Sequence, residues 1–419
     1  MDFDVVIREQ LKELQALEAG GLVQRAGLRE AEKAILHPNI LVILGVRRCG
    51  KSVFSYILAK GKKSGYINFD DERLLGLQAG DLNGILEAFY RLYGDIEMVI
   101  LDEIQLITGW ELFANRLRRT KKVIVTGSNS KLLSGELATH LTGRHLDTIL
   151  YPYSFKEYLQ AKNFEIQKSY TTHEKAVLLN HLMDYMQNGG FPETLKFGKK
   201  MTAAIYDDII TKDVIMRHKI RKPQELRRMA KYLASNTAKE YTYSRLAKII
   251  PIKHVATASK WIGYLEEAFL FFSLARFDYK LKEQFLAPKK TYCIDTGVAN
   301  SIGFAFSENR GALMENIVAI ELKRRAPREG TELYYWKDYQ QSEVDFVVKG
   351  GNKITELIQS TYAGTKEEIN ERQQNSLVKA SKALRCGKLT IITWDYRTEE
   401  KIKGKKIVYT PLWEWLLEK

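Results

Sequence analysis

Gly45-Val46-Arg47-Arg48-Cys49-Gly50-Lys51-Ser52 limits what this chain can fold into more than any other stretch. Two glycines, a lysine and a serine stand at the spacing GxxxxGKS, with Val53 next. The apolar run Ile40–Leu44 precedes it, and the helical pattern VFSYILAK follows. Strand, glycine-rich turn and helix start, in that order, belong to an open sheet of parallel strands with crossover helices. The glycines let backbone N–H groups close around phosphate oxygens, and the helix dipole favours the anion. In such a loop Lys51 reaches the β- and γ-phosphates and Ser52 ligates Mg²⁺. The alternative is a glycine-rich turn that merely tightens a strand–helix junction.

Three further stretches fit the same sheet. Met98-Val99-Ile100-Leu101-Asp102-Glu103 reads as a buried strand with two carboxylates at its C-terminal end, the ligand-binding edge. Asp102 is expected to hold Mg²⁺ through water, and Glu103 to polarise the attacking water. Lys122–Asn129 reads as a strand ending in small polar residues. Asn129 or Ser128 is then the candidate sensor of the γ-phosphate, with a helix N-cap as the alternative. Arg144 follows the turn residue Gly143 and is the candidate cation for the γ-phosphate, from its own chain or a neighbouring one. A surface arginine paired with an acid is its alternative. The expected catalytic set is therefore Lys51, Glu103, Asn129 and Arg144, with nucleotide held by residues 45–53 and metal by Ser52 and Asp102.

At 419 residues the chain exceeds one ordinary core and calls for two to four domains. Lys and Arg number 65 against 51 Asp and Glu, a net charge of +14 that favours a polyanionic partner. Cys49, Cys293 and Cys386 are scattered. That excludes a disulfide framework and a thiolate zinc site and fits a reducing compartment. No signal-like start and no run near the ~20 apolar residues of a membrane span is present, so a cytoplasmic chain without a membrane partner is expected. Residues 2–35 read as one helix, with apolar positions at Val5, Val6, Leu11, Leu14 and Leu17. Between 40 and 150, the runs at 40–45, 66–69, 98–102 and 122–127 read as buried parallel strands. Residues 151–215 read as helical, broken at Asn188-Gly189-Gly190-Phe191-Pro192.

The set GVRRCGKS, YINFDDERL, MVILDEIQ, VIVTGSNS, LTGR and YPYSFKEYL resembles the AAA-like ATPases widespread in archaea and bacteria. YMQNGGFPETL and DVIMRHKI extend the resemblance over nearly the whole chain. It implies an α/β fold: a P-loop NTPase (AAA-like) parallel sheet, a helical lid, a winged-helix module and a second α/β domain resembling the restriction-endonuclease core. The implied activity is nucleotide-dependent conformational work, with no substrate fixed.

The last two modules bear on DNA. Residues 221–290 hold 15 Lys/Arg against 6 Asp/Glu. They read as helix-turn-helix order followed by a short β wing, with Lys253, His254, Thr257 and Lys260 offered by the third helix. The aromatics Trp261, Tyr264 and Phe269–Phe272 read as core. A basic interdomain bundle neutralised by acids elsewhere is the alternative. In the C-terminal unit, Glu315, Asp345 and the strand Ile354–Gln359 resemble the endonuclease core, whose carboxylates bind Mg²⁺ and whose lysine positions water. The match is degenerate: Gln359 takes the lysine position and Leu357 the glutamate position. Strand alternation turns Glu356 to the face opposite Gln359 unless a bulge re-aims it.

The expected domains are an N-terminal helical segment (1–38), the ATPase core (39–150), a lid (151–220), the basic winged-helix-like module (221–290) and the nuclease-like domain (291–419). The expected function is that of a Mg²⁺-ATP-dependent ATPase switch or motor on DNA, with ATP and Mg²⁺ as cofactors and homo-oligomers possible. The rivals are an ATP-binding DNA-binding or scaffold protein with slow turnover and an ATP-regulated nuclease.

Overall fold

The structure, a computed structural model, describes residues 2–19, 21–130, 141–303 and 309–418. The chain divides into two units, the first principally residues 1–153 and the second principally residues 165–266 and 270–419.

The first unit is a five-stranded parallel sheet in the order β2-β3-β4-β1-β5. Its strands are β1 (Ile40–Leu44), β2 (Ser64–Asn68), β3 (Met98–Asp102), β4 (Lys122–Gly127) and β5 (His145–Ile149). β1 and β3 are buried at every position. That is the continuous apolar pattern of strands covered on both faces. β5 escaped the sequence reading because HLDTI has no apolar run and alternates in burial, as an edge strand does. Helices α1 (Phe3–Ala19), α2 (Leu28–Leu36), α3 (Lys51–Ala59), α4 (Leu82–Tyr93) and α5 (Trp110–Leu117) belong to this unit.

The single helix expected over residues 2–35 is two helices, interrupted between Ala19 and Leu28. Gly21 within the break has φ +91, a conformation that suits glycine. The buried face of α1 runs through Val6, Ile7, Gln10 and Leu14, while Val5 and Leu17 point to solvent. Gln10 is buried because its amide completes the edge of β2: it accepts from Asn68 N (2.8 Å) and donates to Asn68 O (3.0 Å). Ala31 and Ile35 of α2 are buried as well. The N-terminal segment is thus part of the first unit and not an appendage to it.

The second unit holds a nine-stranded mixed sheet, β13-β14-β12-β11-β10-β9-β7-β8-β6. Its strands are β6 (Glu240–Tyr241), β7 (Phe271–Arg276), β8 (Lys289–Cys293), β9 (Thr331–Lys337), β10 (Glu343–Gly350), β11 (Lys353–Thr361), β12 (Leu389–Thr393), β13 (Thr398–Ile402) and β14 (Lys405–Pro411). Helices Pro223–Ser235, Tyr243–Ile249 and Val255–Glu267 precede the β7–β8 hairpin. A boundary at 290/291 falls inside β8. β7 also pairs in parallel with β9, Ala275 opposite Tyr334, so the basic module and the C-terminal unit share one sheet.

The break at Asn188–Pro192 forms as expected, and its glycines dock against a buried carboxylate. Asp295 accepts from Gly190 N (2.7 Å) and caps the helix Thr296–Ile302 through Val298 N (3.0 Å). A Cβ on Gly189, at φ +76, would lie 2.0 Å from Asp295 Oδ1. Gly189→Ala should therefore cost about 2–4 kcal/mol, combining backbone strain with displacement of a buried acid. Denaturant unfolding of the full chain measures it.

Candidate functional site

The C-terminal edge of the parallel sheet gathers the phosphate-loop residues. Gly45 must be glycine: a Cβ there would sit 2.1 Å from Leu150 O. Gly50, at φ +98, turns the loop into α3. Lys51, the first residue of α3, points its ammonium back under the loop and donates to Gly45 O (3.2 Å) and Val46 O (3.3 Å). The same ammonium pairs with Glu103 Oε1 at 3.1 Å, with both side chains nearly sealed from solvent. Arg47 at the loop surface pairs with Asp70 beyond β2 (2.7 Å). Cys49 is fully buried, and burial pushes its thiol up, which fits a filler rather than a nucleophile.

The two carboxylates ending β3 have different environments. Asp102 is buried, accepting from Tyr66 OH (2.6 Å), Thr126 Oγ1 and the Ser52 hydroxyl. Burial and the adjacent Glu103 charge raise its carboxyl above the usual range. Glu103 leaves the strand at φ +53 and so turns back over the sheet edge. Its N–H donates to Thr126 Oγ1 (3.0 Å), and its Oε2 accepts from Ser128 N (3.2 Å) and the Gln105 amide. Burial pushes the Glu103 carboxyl up, but the Lys51 and Arg47 charges outweigh it and hold it at about 2.

Asn129 is buried and lies just past β4, at the same edge. Arg144 does not join the group. It is exposed and precedes β5, where its carbonyl accepts from Ile40 N at the start of β1. One five-residue strand, roughly 16 Å, separates that end of the sheet from the loop. An arginine there lies too far along the sheet to touch a phosphate held in its own chain's loop.

Sequence reasoning missed three residues of this group. Tyr66 and Thr126 lay unremarked inside quoted motifs, where strand alternation puts them beside Asp102. Arg25, between α1 and α2, is buried and donates to Cys49 O (2.9 Å) and to Tyr151 O, with its guanidinium 4.9 Å from the Tyr153 ring centre. Nothing in the local pattern marks it.

In the basic module, Lys253, His254 and Lys260 are exposed and Thr257 is half-buried, while Ala258, Trp261, Ile262 and Leu265 form the buried face of the helix Val255–Glu267. Arg245 and Lys248 on the preceding helix are also exposed. Tyr264 stacks on His218 at 3.6 Å between ring centres.

The C-terminal cluster differs from the expected one. Glu315 and Asp345 come together, but Lys290 from β8 lies between them: its ammonium is 2.9 Å from Glu315 Oε1, 3.3 Å from Asp345 Oδ1 and 2.6 Å from Glu343 Oε1. The other oxygen of Asp345 accepts from the Gln359 amide (2.9 Å), Ser360 N (2.9 Å) and Ser360 Oγ (3.0 Å). Glu356 is not in the cluster. It pairs with Lys388 (2.9 Å) and accepts from Thr390 Oγ1 (2.6 Å). A register shift does occur between the Val348–Glu356 and Lys349–Ile354 pairs, with Thr355 as the extra residue on β11, but it leaves Glu356 outside the cluster. Among the described residues, no group of three or more His, Cys, Asp or Glu is arranged to hold a metal ion. Lys290 was missed because the boundary at 290/291 assigned it to another module, and Glu343, at the start of β10, was not singled out.

A loop at the C-terminal edge of β1, glycines fixed by close backbone approach and positive φ, and a buried carboxylate beside a loop serine are the features of a P-loop protein of the AAA class. Residues 37–159 match the family described as AAA domain. Residues 179–309 and 310–415 match two domains of unknown function, DUF8612 and DUF4143. The chain belongs to the same family as an uncharacterized protein of Methanocaldococcus jannaschii, to which it is 37% identical over 408 residues, 93% of this chain and 90% of that one. An uncharacterized protein of Haemophilus influenzae is 29% identical over 90% of this chain and 94% of its own length. Among solved structures, a Walker-type ATPase of Pyrococcus abyssi is similar at TM-score 0.43 and 14% identity, over 67% of this chain and 96% of that one. No helix among the described residues is long and apolar enough to cross a membrane.

The C-terminal cluster generates a pH prediction. One ammonium faces three carboxylates, so Lys290 stays charged while Glu315, raised first by burial and then by Asp345, reaches about 7. The folded chain then binds more protons than the unfolded one between the ordinary glutamate value of 4.5 and about 7, and stability falls as pH rises through that window. Urea midpoints at pH 5 and pH 7 should show the fall, and Glu315→Gln should reduce it.

Proposed function

We propose that the chain is a Mg²⁺-ATP-dependent ATPase whose nucleotide state sets the arrangement of a DNA-binding module. The reading rests on the buried Lys51–Glu103 pair, 3.1 Å long, beside the Ser52–Asp102 contact. Residues 45–53 would hold the phosphates by their backbone N–H groups. Ser52 and Asp102 would hold Mg²⁺, which neutralises phosphate charge when bound. A carboxylate and a hydroxyl in mutual contact are hard oxygen donors and fit that ion. Lys51 would leave Glu103 for the phosphates. Glu103, no longer held low by the ammonium, would then accept a proton from the attacking water while Ser128 N–H and Gln105 keep it oriented. Asn129 stands at the same edge as the proposed γ-phosphate sensor. Arg144 is proposed to act from a neighbouring chain of an oligomer.

Glu103→Gln should bind Mg²⁺-ATP and hydrolyse it roughly 10²–10⁴-fold more slowly. Lys51→Ala should lose tight nucleotide binding, since it removes the ammonium that lies beneath the loop against the Gly45 and Val46 carbonyls. Isothermal titration and phosphate release decide both, and wild-type turnover in Glu103→Gln would move the catalytic role to another acid.

A second reading, slow turnover by a nucleotide-bound scaffold, draws on the same pair. A carboxyl held at about 2 is a weak base until Lys51 withdraws. Phosphate release with and without DNA separates the two.

The DNA role is proposed from the exposed Lys253 and His254, just before the helix Val255–Glu267, and the exposed Lys260 on it, a helix whose other face is buried. Contact with about five phosphates would give a log–log salt slope near −4 to −5, and removing Lys253 and Lys260 together should make it shallower by about two. Salt-independent binding, or none, would favour a basic bundle instead. DNA cleavage is not proposed: Lys290 stands among the acids and Gln359 is neutral. Mn²⁺-dependent nicking by the full chain that disappears in Asp345→Ala would overturn that.

A further inference from the structure

We propose that Arg25 is a positioning residue of the phosphate-binding loop; the proposal rests on the nucleotide-site reading above. Three observations carry it. Arg25 is 7% exposed, although it sits in the irregular stretch between α1 and α2. A buried guanidinium is expensive unless its N–H groups are matched. Here one nitrogen donates to Cys49 O, inside the loop, and the other to Tyr151 O, just beyond β5. The guanidinium also lies 4.9 Å from the centre of the Tyr153 ring.

The consequence for the loop follows from peptide geometry. No described peptide bond is cis. In a trans peptide the carbonyl of one residue and the N–H of the next point in opposite directions. Arg25 holds the Cys49 carbonyl toward itself, so the Gly50 N–H points away from Arg25. Gly50 sits at φ +98, where glycine has no strong preference of its own and the peptide on its N-terminal side is easily turned. Were that peptide to rotate, the Cys49 oxygen would face the phosphates and repel them, and one N–H donor would be lost. The second bond, to Tyr151 O, fixes the guanidinium against the strand that flanks β1. The fork geometry matters, because two acceptors on different segments need two diverging donors. A lysine can satisfy one.

The role differs from that of a γ-phosphate finger. A finger contributes to ATP and not to ADP, whereas a residue that shapes the loop contributes to both. The test uses the full chain and fluorescent ADP and ATP analogues. Arg25→Met should weaken both nucleotides alike, by roughly ten- to a hundredfold, the range for a hydrogen bond from a charged group. The KM for ATP should rise by a similar factor while kcat at saturation changes little. Arg25→Lys, which keeps the charge and one bond, should fall between. Circular dichroism checks that each variant is folded. If Arg25→Met does not fold, Arg25→Lys decides: weakened affinity supports the proposal and wild-type affinity overturns it. Wild-type affinity in folded Arg25→Met, or weakening of ATP alone, overturns it as well. A wild-type chain that binds neither nucleotide overturns the site reading and this inference with it, an outcome distinguishable from failure of Arg25 alone.

Discussion

The phosphate loop and the acidic strand are tied together by one buried ion pair, Lys51 with Glu103. Two charges taken out of water recover their hydration only with good geometry and further hydrogen bonds. Both partners have them: the ammonium also meets the Gly45 and Val46 carbonyls, and the carboxylate meets Ser128 N–H and the Gln105 amide. Removing either partner would strand a buried charge, a penalty on the order of 3–5 kcal/mol. The pair is therefore suited to exchange rather than to loss. Under the proposed function, an incoming phosphate that drew Lys51 away would supply a new anion for it, and the freed Glu103 would keep its amide donors. A single lysine would thus link occupancy of the loop to the proton affinity of the acid.

What was legible in the sequence follows from how many neighbours dictated each residue. β1, β3 and β4 stood out because a strand covered on both faces admits few polar residues, and the glycine-lysine-serine spacing is demanded locally by the turn into α3. β5 did not stand out, because an edge strand tolerates polar positions. Without β5 there was no way to see that Arg144 opens it and so lies at the far end of the sheet. Arg25 and Lys290 were invisible for a different reason. Each is buried by partners distant in sequence, Cys49 and Tyr151 in one case and Glu315, Glu343 and Asp345 in the other. A lone basic residue in a chain with 65 of them carries no local mark. In the C-terminal unit the direction of Glu356, away from Gln359, was readable from simple alternation. The cation among the acids was not readable, because it comes from a strand that sequence reasoning had placed in another module.

The shared sheet has a practical consequence for anyone dissecting this molecule. Cutting the chain at 290/291 would sever β8 in mid-strand and leave Lys290 on the wrong fragment. The C-terminal piece would keep Glu315, Glu343 and Asp345 crowded together with no ammonium among them. It would also present β9 as a bare edge where β7 had been, an open row of N–H and C=O groups that invites pairing between copies. Such a fragment would report on self-association and on acid crowding, and not on the chemistry of the unit inside the intact chain. A piece of this half that keeps β6, β7 and β8 whole, and Gly190 on Asp295, must begin well upstream of the helix Pro223–Ser235.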